Sequence, residues 1–108
     1  MRNRIRFYVP SRDCYGNRIA YRKPLQKVIR AFTEFFGGCT RFEGHGSYLA
    51  STGKIITERV NIVESFCDDR KLREHLQSIR SLAAEICVTL NQETIAIVVN
   101  DQMEFIKR

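Results

Sequence analysis

Glu58 stands in the run Ile56-Thr57-Glu58-Arg59-Val60-Asn61-Ile62. Strand alternation places it on the face of Ile56, Val60 and Ile62. A carboxylate among aliphatic side chains loses its hydration. Its pKa rises unless a cation or a hydrogen-bond donor compensates. Groups of that kind serve as acids, bases or ligand acceptors. Two blander readings compete: a β-bulge near Thr57 that turns Glu58 outward, or a structural pair with an arginine. The expected partner is an arginine of the N-terminal third or Arg41.

His45 lies between Gly44 and Gly46. On an accessible loop, an imidazole suits general-base work or a phosphate contact. It suits a plain turn equally well. With Glu58 it makes a candidate catalytic pair, on condition that the two side chains converge on a common point, and a pair with the nearby Glu43 is conceivable as well. Four of the six glycines fall between 37 and 46. The sequence predicts a loop there, whose N–H groups at Gly44 and Gly46 form a nest for one anion. No Gly-Lys-Ser/Thr follows, so this is not a Walker loop. A dinucleotide fingerprint is excluded by the missing third glycine and the missing strand-loop-helix context.

The charge is lopsided. The chain carries a net charge of +6. Residues 1–30 hold nine arginines and lysines against Asp13 alone. Such an asymmetry favours an anionic partner, although it also suits a solvated basic face. Arg12, Arg18, Arg22 and Lys23 are interleaved with Tyr15 and Tyr21, a mixture that suits a nucleotide base or a single strand. Arg41 is the further basic candidate. The aromatic signature strand of an RRM is missing.

Cys14, Cys39, Cys67 and Cys87 form no C-x-x-C pair. That spacing argues against a disulfide scaffold and against a zinc site, with a mixed Cys14, Cys39, His45 and Cys67 site as the minor alternative. Four reduced thiols, mostly buried, are expected, with no metal and no cofactor. No apolar run reaches the ~20 residues of a membrane span. The basic start lacks the apolar stretch of a signal peptide, so the expected compartment is the cytoplasm, with no membrane partner.

The elements that must position these residues follow from periodicity. Ile5, Phe7 and Val9 alternate with Arg4, Arg6 and Tyr8, which gives a half-buried strand ended by Pro10. A loop fills 11–22, with a turn at Tyr15-Gly16-Asn17. Pro24 opens a helix whose stripe is Leu25, Val28, Ile29, Phe32, Phe35 and Phe36, and Gly37-Gly38 stops it. A short strand over 46–51, a turn at Thr52-Gly53 and a β-rich run over 54–66 come next. Asp68 or Asp69 caps a second helix with the stripe Leu72, Leu76, Ile79, Ala83, Ile86 and Leu90, and His75 sits half in the core. Residues 94–99 read as a central strand buried on both faces. Asn100-Asp101 turns into a last strand over 103–106.

This order is β-α-β-β-α-β plus one strand. A chain of 108 residues is one domain, 1–108. The fold class is therefore α+β, a ferredoxin-like βαββαβ sandwich with an additional C-terminal strand and two helices on one face of an antiparallel sheet. The uncovered face implies a homodimer.

The pattern Tyr8-Val9-Pro10-x-x-Asp13-x-x-Gly16, then Phe36-Gly37-Gly38-x-Thr40, then Gly44-x-Gly46 and Glu58 resembles a loose family of small bacterial proteins with no established function. The resemblance covers most of the chain. It implies that the loop, the turn and Glu58 work as one site, and it brings no activity, cofactor or substrate.

Three functions remain in view. The first is a binding module for a phosphate-bearing ligand, a nucleotide or a nucleic acid, held by the basic third and the glycine-rich loop. The second is a small hydrolase or nuclease that uses Glu58 and His45. The third is a protein-interaction or inhibitor module.

Overall fold

The computed structural model describes residues 2–108. Seven elements follow in chain order: β1 (Asn3–Pro10), α1 (Arg22–Phe36), β2 (Thr40–Leu49), β3 (Ile55–Cys67), α2 (Asp69–Thr89), β4 (Ile95–Val99) and β5 (Gln102–Ile106). The strands make one sheet in the order β2-β3-β1-β4-β5. Every pairing in it is antiparallel.

The alternation of β1 explains its place at the centre. Ile5, Phe7 and Val9 are fully buried, and they meet Val28 and Phe32 of α1 and Ile79, Ala83 and Ile86 of α2 in one core. Phe7 meets Phe32 edge-on with ring centroids 6.2 Å apart. Val63, Cys67, Ile95 and Ile97 complete the same layer. Both helices thus pack on one face of the sheet. Their ends form as the sequence predicts. Gly37 takes φ 88° after α1, which a side chain would disfavour. The Asp68 carboxylate accepts from Lys71 N at the start of α2, 2.8 Å away.

Three expectations need correction. Gly44-His45-Gly46 is not a loop but the middle of β2. Gly44 pairs with Val60, His45 with Arg59 and Gly46 with Glu58. Neither glycine has positive φ. The long β-branched partner strand supplies a full ladder, and this overrides the local preference of glycine. The N–H nest predicted at Gly44 and Gly46 is therefore not formed, because the segment runs as a paired strand. The second correction concerns β4: it is an inner strand, between β1 and the edge strand β5, but its Ala96 is only half-buried, so its open face is not fully covered. Thirdly, β3 has no bulge at Thr57, since its register to β2 is continuous from Ile55 to Glu64. No helix among the described residues is long and apolar enough to cross a membrane.

The face without helices carries the other half of each alternation. Tyr8 lies opposite Ile62, and Arg6 lies opposite Glu64. Ala96 pairs with Phe105 and Val98 with Met103. The sheet therefore offers a broad apolar and aromatic surface on which only a few charges sit.

Candidate functional site

Glu58 belongs to this open face, together with Val60 and Ile62. It is 8% exposed. Its compensation is not the arginine ion pair expected from sequence. Just past the end of β1, the chain turns so that Ser11 N and Arg12 N both donate to Glu58 Oε1, at 2.8 and 3.0 Å. Oε2 makes no hydrogen bond among the described residues. Burial raises the Glu58 pKa, while the two backbone N–H groups and the Arg12 charge pull it partly back.

A cavity of about 500 Å³ opens over this carboxylate. Its aromatic lining comes from Tyr8 of β1, Tyr48 of β2 and Phe105 of β5. Val60, Ile62 and Ala96 add aliphatic surface, and Gly44 and Gly46 leave room where side chains would stand. A Cβ added at Gly46 would meet nothing within 4 Å. Glu93, at the mouth of β4, is the second carboxylate of the lining, and no lysine or arginine contributes. Ser51 holds Glu93 through its N and its Oγ, at 3.0 and 2.9 Å. Those bonds keep the Glu93 pKa below the usual carboxylate range. The Tyr48 phenol is pushed up to about 12, first by burial and then by the Glu58 charge, so it stays protonated at neutral pH.

A second cavity, about 530 Å³, lies beside the first and shares His45 and Glu58 with it. Its walls are the 11–22 loop and the outer side of the β2–β3 hairpin. Arg12, Arg18, Arg22 and Arg59 line it. The loop is pinned at several points. Asp13 accepts from Tyr15 N and Asn17 N, both at 2.9 Å. Arg12 and Arg18 face one another across an isolated β-bridge. Gln92 Nε2 donates to Arg12 O at 2.7 Å, tying the loop to the start of β4.

The structure sorts the residues picked from sequence. Arg12, Arg18 and Arg22 converge on the second cavity, whereas Lys23 lines neither. Arg41 is elsewhere: its Nη1 donates to Asn61 Oδ1 at 2.7 Å. His45 pairs with Arg59 while Gly46 pairs with Glu58, so the His45 and Glu58 side chains leave the hairpin on opposite faces. Both nevertheless border the two cavities, and no hydrogen bond joins them among the described residues. The open-face arginines are occupied too. Arg6 binds Glu64 at 2.6 Å and lies over the Phe42 ring. Arg4 donates to Asn100 O at 3.2 Å. His75 stacks on Phe35 with centroids 4.4 Å apart. No three His, Cys, Asp or Glu among the described residues are arranged to hold a metal. Cys14, Cys39, His45 and Cys67 accordingly form no common site.

Sequence reasoning missed Tyr48, Gln92, Glu93 and Phe105. Tyr48 stands two residues after Gly46 on the same strand face, a signal that the strand expected over 46–51 already carried. Gln92 and Glu93 carry no local signal, because the residues they serve are some forty to eighty positions away.

No model of a known protein family matches the chain, and no curated protein matches it. Among solved structures, a phage SAM lyase in complex with S-methyl-5′-thioadenosine is similar, with a TM-score of 0.73 and 13% identity. A phage SAM lyase in the apo state is similar as well, with a TM-score of 0.71 and 15% identity. Each comparison covers 98% of this chain and 89% of the other. At such identities the likeness is one of fold.

Proposed function

We propose that the protein works in the cytoplasm and that its open-face cavity binds a SAM-type ligand, an adenine nucleoside carrying a sulfonium cation, with Glu58 facing the cation. One observation carries this reading. The cavity has aromatic and aliphatic walls, two carboxylates and no lysine or arginine in its lining. A phosphate would meet two carboxylates there, with no lysine or arginine among the described residues to offset them. A planar base finds Tyr8, Tyr48 and Phe105, and a cation finds the unengaged Oε2 of a poorly hydrated carboxylate. The volume of about 500 Å³ falls within the usual range for small ligands. Four cysteines without a disulfide suit a reducing compartment.

The architectural likeness to phage SAM lyases supports the ligand class. The strand order we read as ferredoxin-like with β5 added. In a bound state Glu58 would be ionised, since a neighbouring cation favours the charged form and opposes the effect of burial. Tyr48 would remain a hydrogen-bond donor beside it.

Titration calorimetry with SAM and with S-adenosylhomocysteine, which lacks the methyl group and the sulfonium charge, tests the reading. SAM is expected to bind about tenfold tighter or better, and Glu58→Gln is expected to erase the difference. Equal affinity for both ligands, or an equal loss of both in Glu58→Gln, would overturn it. Chromatographic detection of S-methyl-5′-thioadenosine reports whether bound SAM is also cleaved.

A further inference from the structure

We propose that the arginine-lined cavity beside the open face is a separate binding site for the phosphate groups of a small phosphorylated ligand, such as a mononucleotide. The inference is independent of the SAM-type reading, because the two cavities have opposite electrostatic character.

Four guanidinium groups border one concave space of about 530 Å³. Arg12, Arg18 and Arg22 have no carboxylate within 4 Å among the described residues. Arg59 has only Glu43, at 3.9 Å. The one carboxylate in the lining is Glu58, whose Oε1 is already taken by Ser11 N and Arg12 N. Gathering like charges costs free energy, and directly opposed like charges across a β-bridge are destabilising. Arg12 and Arg18 stand in that relation. An anion in the cavity turns the repulsion into attraction.

The arrangement is also built rather than fortuitous. Arg12 Nη1 donates to Gly16 O at 2.9 Å, which anchors one corner of its guanidinium while leaving its other N–H groups available. Arg22 lies against the Tyr21 ring, 5.7 Å from its centroid. The backbone of the loop is clamped by Ile19 N to Ser11 O at 3.1 Å and by Gln92 to Arg12 O. Guanidinium forks on a clamped loop match phosphate oxygens bidentately. A bounded pocket of this size favours a small ligand over a nucleic-acid strand, which needs a continuous basic track. The neighbouring basic residues do not extend such a track: Lys27 is paired with Glu85 at 2.6 Å, and Arg30 with Glu34 at 2.9 Å.

The probes are inorganic pyrophosphate, adenosine monophosphate and a fluorescent fifteen-residue oligothymidylate, each titrated into the intact protein at about 0.05 and 0.2 M salt. Arg18 and Arg22 are exposed, so the double variant Arg18→Ala/Arg22→Ala is expected to fold, and circular dichroism checks this. Lys23→Ala/Lys27→Ala removes the same charge outside the cavity. Pyrophosphate and the mononucleotide are expected to bind, to weaken about tenfold or more in the arginine variant and to change little in the lysine variant. Equal losses in both variants would reduce the effect to net charge and overturn the proposal. Oligothymidylate binding without pyrophosphate binding overturns it in favour of a strand, and no binding of any probe overturns it outright. SAM affinity unchanged in the arginine variant is the expected sign that the two sites are distinct.

Discussion

Removing the Glu58 charge while keeping its shape separates two costs that coincide in the native protein. In Glu58→Gln the side-chain oxygen still accepts from Ser11 N and Arg12 N, which stand at 2.8 and 3.0 Å. In Glu58→Ala both N–H groups lose their partner. Leaving a buried donor unpaired costs about 1–3 kcal/mol. Two such donors, both only part-buried, give a loss of roughly 2–4 kcal/mol for the alanine variant. In a domain of this size that lowers Tm by about 10–25 °C. The glutamine variant is expected to stay within about 1 kcal/mol of the native protein at neutral pH. Its pH dependence gives the sharper test. Burial raises the folded-state pKa of Glu58. The contribution of the group is therefore fully present below its unfolded pKa and is lost as pH rises through the raised folded value. The native protein should lose stability relative to Glu58→Gln as pH rises above the ordinary glutamate value and through the raised folded value. Asp13, Asp68 and Glu93, whose pKa values are lowered, destabilise both proteins alike on acidification and cancel in the difference. Differential scanning calorimetry at several pH values measures that difference. If the glutamine variant instead loses ground as pH rises, the carboxylate is stabilised as an anion and the reasoning fails.

Other outcomes follow from the same geometry. Gly46→Leu places a side chain where nothing stands within 4 Å, so SAM binding should fall severalfold while Tm moves by less than about 5 °C; an unchanged affinity would show that this part of the cavity is unused. Gln92→Leu strands the Arg12 carbonyl and loosens the 11–22 loop, at a cost of about 1–3 kcal/mol read by chemical denaturation, and amide exchange should quicken over 11–19; unaltered exchange would separate Gln92 from the loop. Phe66, Met103 and Phe105, 50%, 49% and 62% exposed on the open face, call for a cover. Light scattering is expected to return a multiple of the 12.6 kDa chain mass, two copies being the arrangement predicted from sequence, and a monomer at high concentration would refute it.

Much of the architecture was legible because periodicity reports burial directly. Ile5, Phe7 and Val9, the stripe of α1 and the caps at Gly37 and Asp68 each carry their own local physics, and each stands where expected. The failure at Gly44-His45-Gly46 is equally physical. Glycine weakens a strand locally, but ten consecutive pairings with β3 decide the outcome, and no local pattern reports them. Glu58 was legible as an anomaly and its compensation was not. Backbone N–H groups are the same in every residue except proline, so a carboxylate held by Ser11 N and Arg12 N leaves no trace in side-chain types. Gathering Arg12, Arg18 and Arg22 needed only one short loop, and sequence suffices for that. Recruiting Arg59 needed the register of β3.

The central position of β1 also bears on how the chain is made. The strand synthesised first pairs with β3 and with β4, partners whose residues lie up to about ninety-five positions downstream, as in Ile5 with Val99. Until Ile95–Val99 has been made, one edge of Ile5, Phe7 and Val9 stands open, and the core cannot close. Contacts this distant slow folding, and unpaired apolar edges invite misassociation while they wait. Arg2 and Arg12 flank that waiting strand, and Arg4 and Arg6 stand within it. They repel like strands from neighbouring nascent chains, so the lopsided charge protects the protein before it has any site to serve.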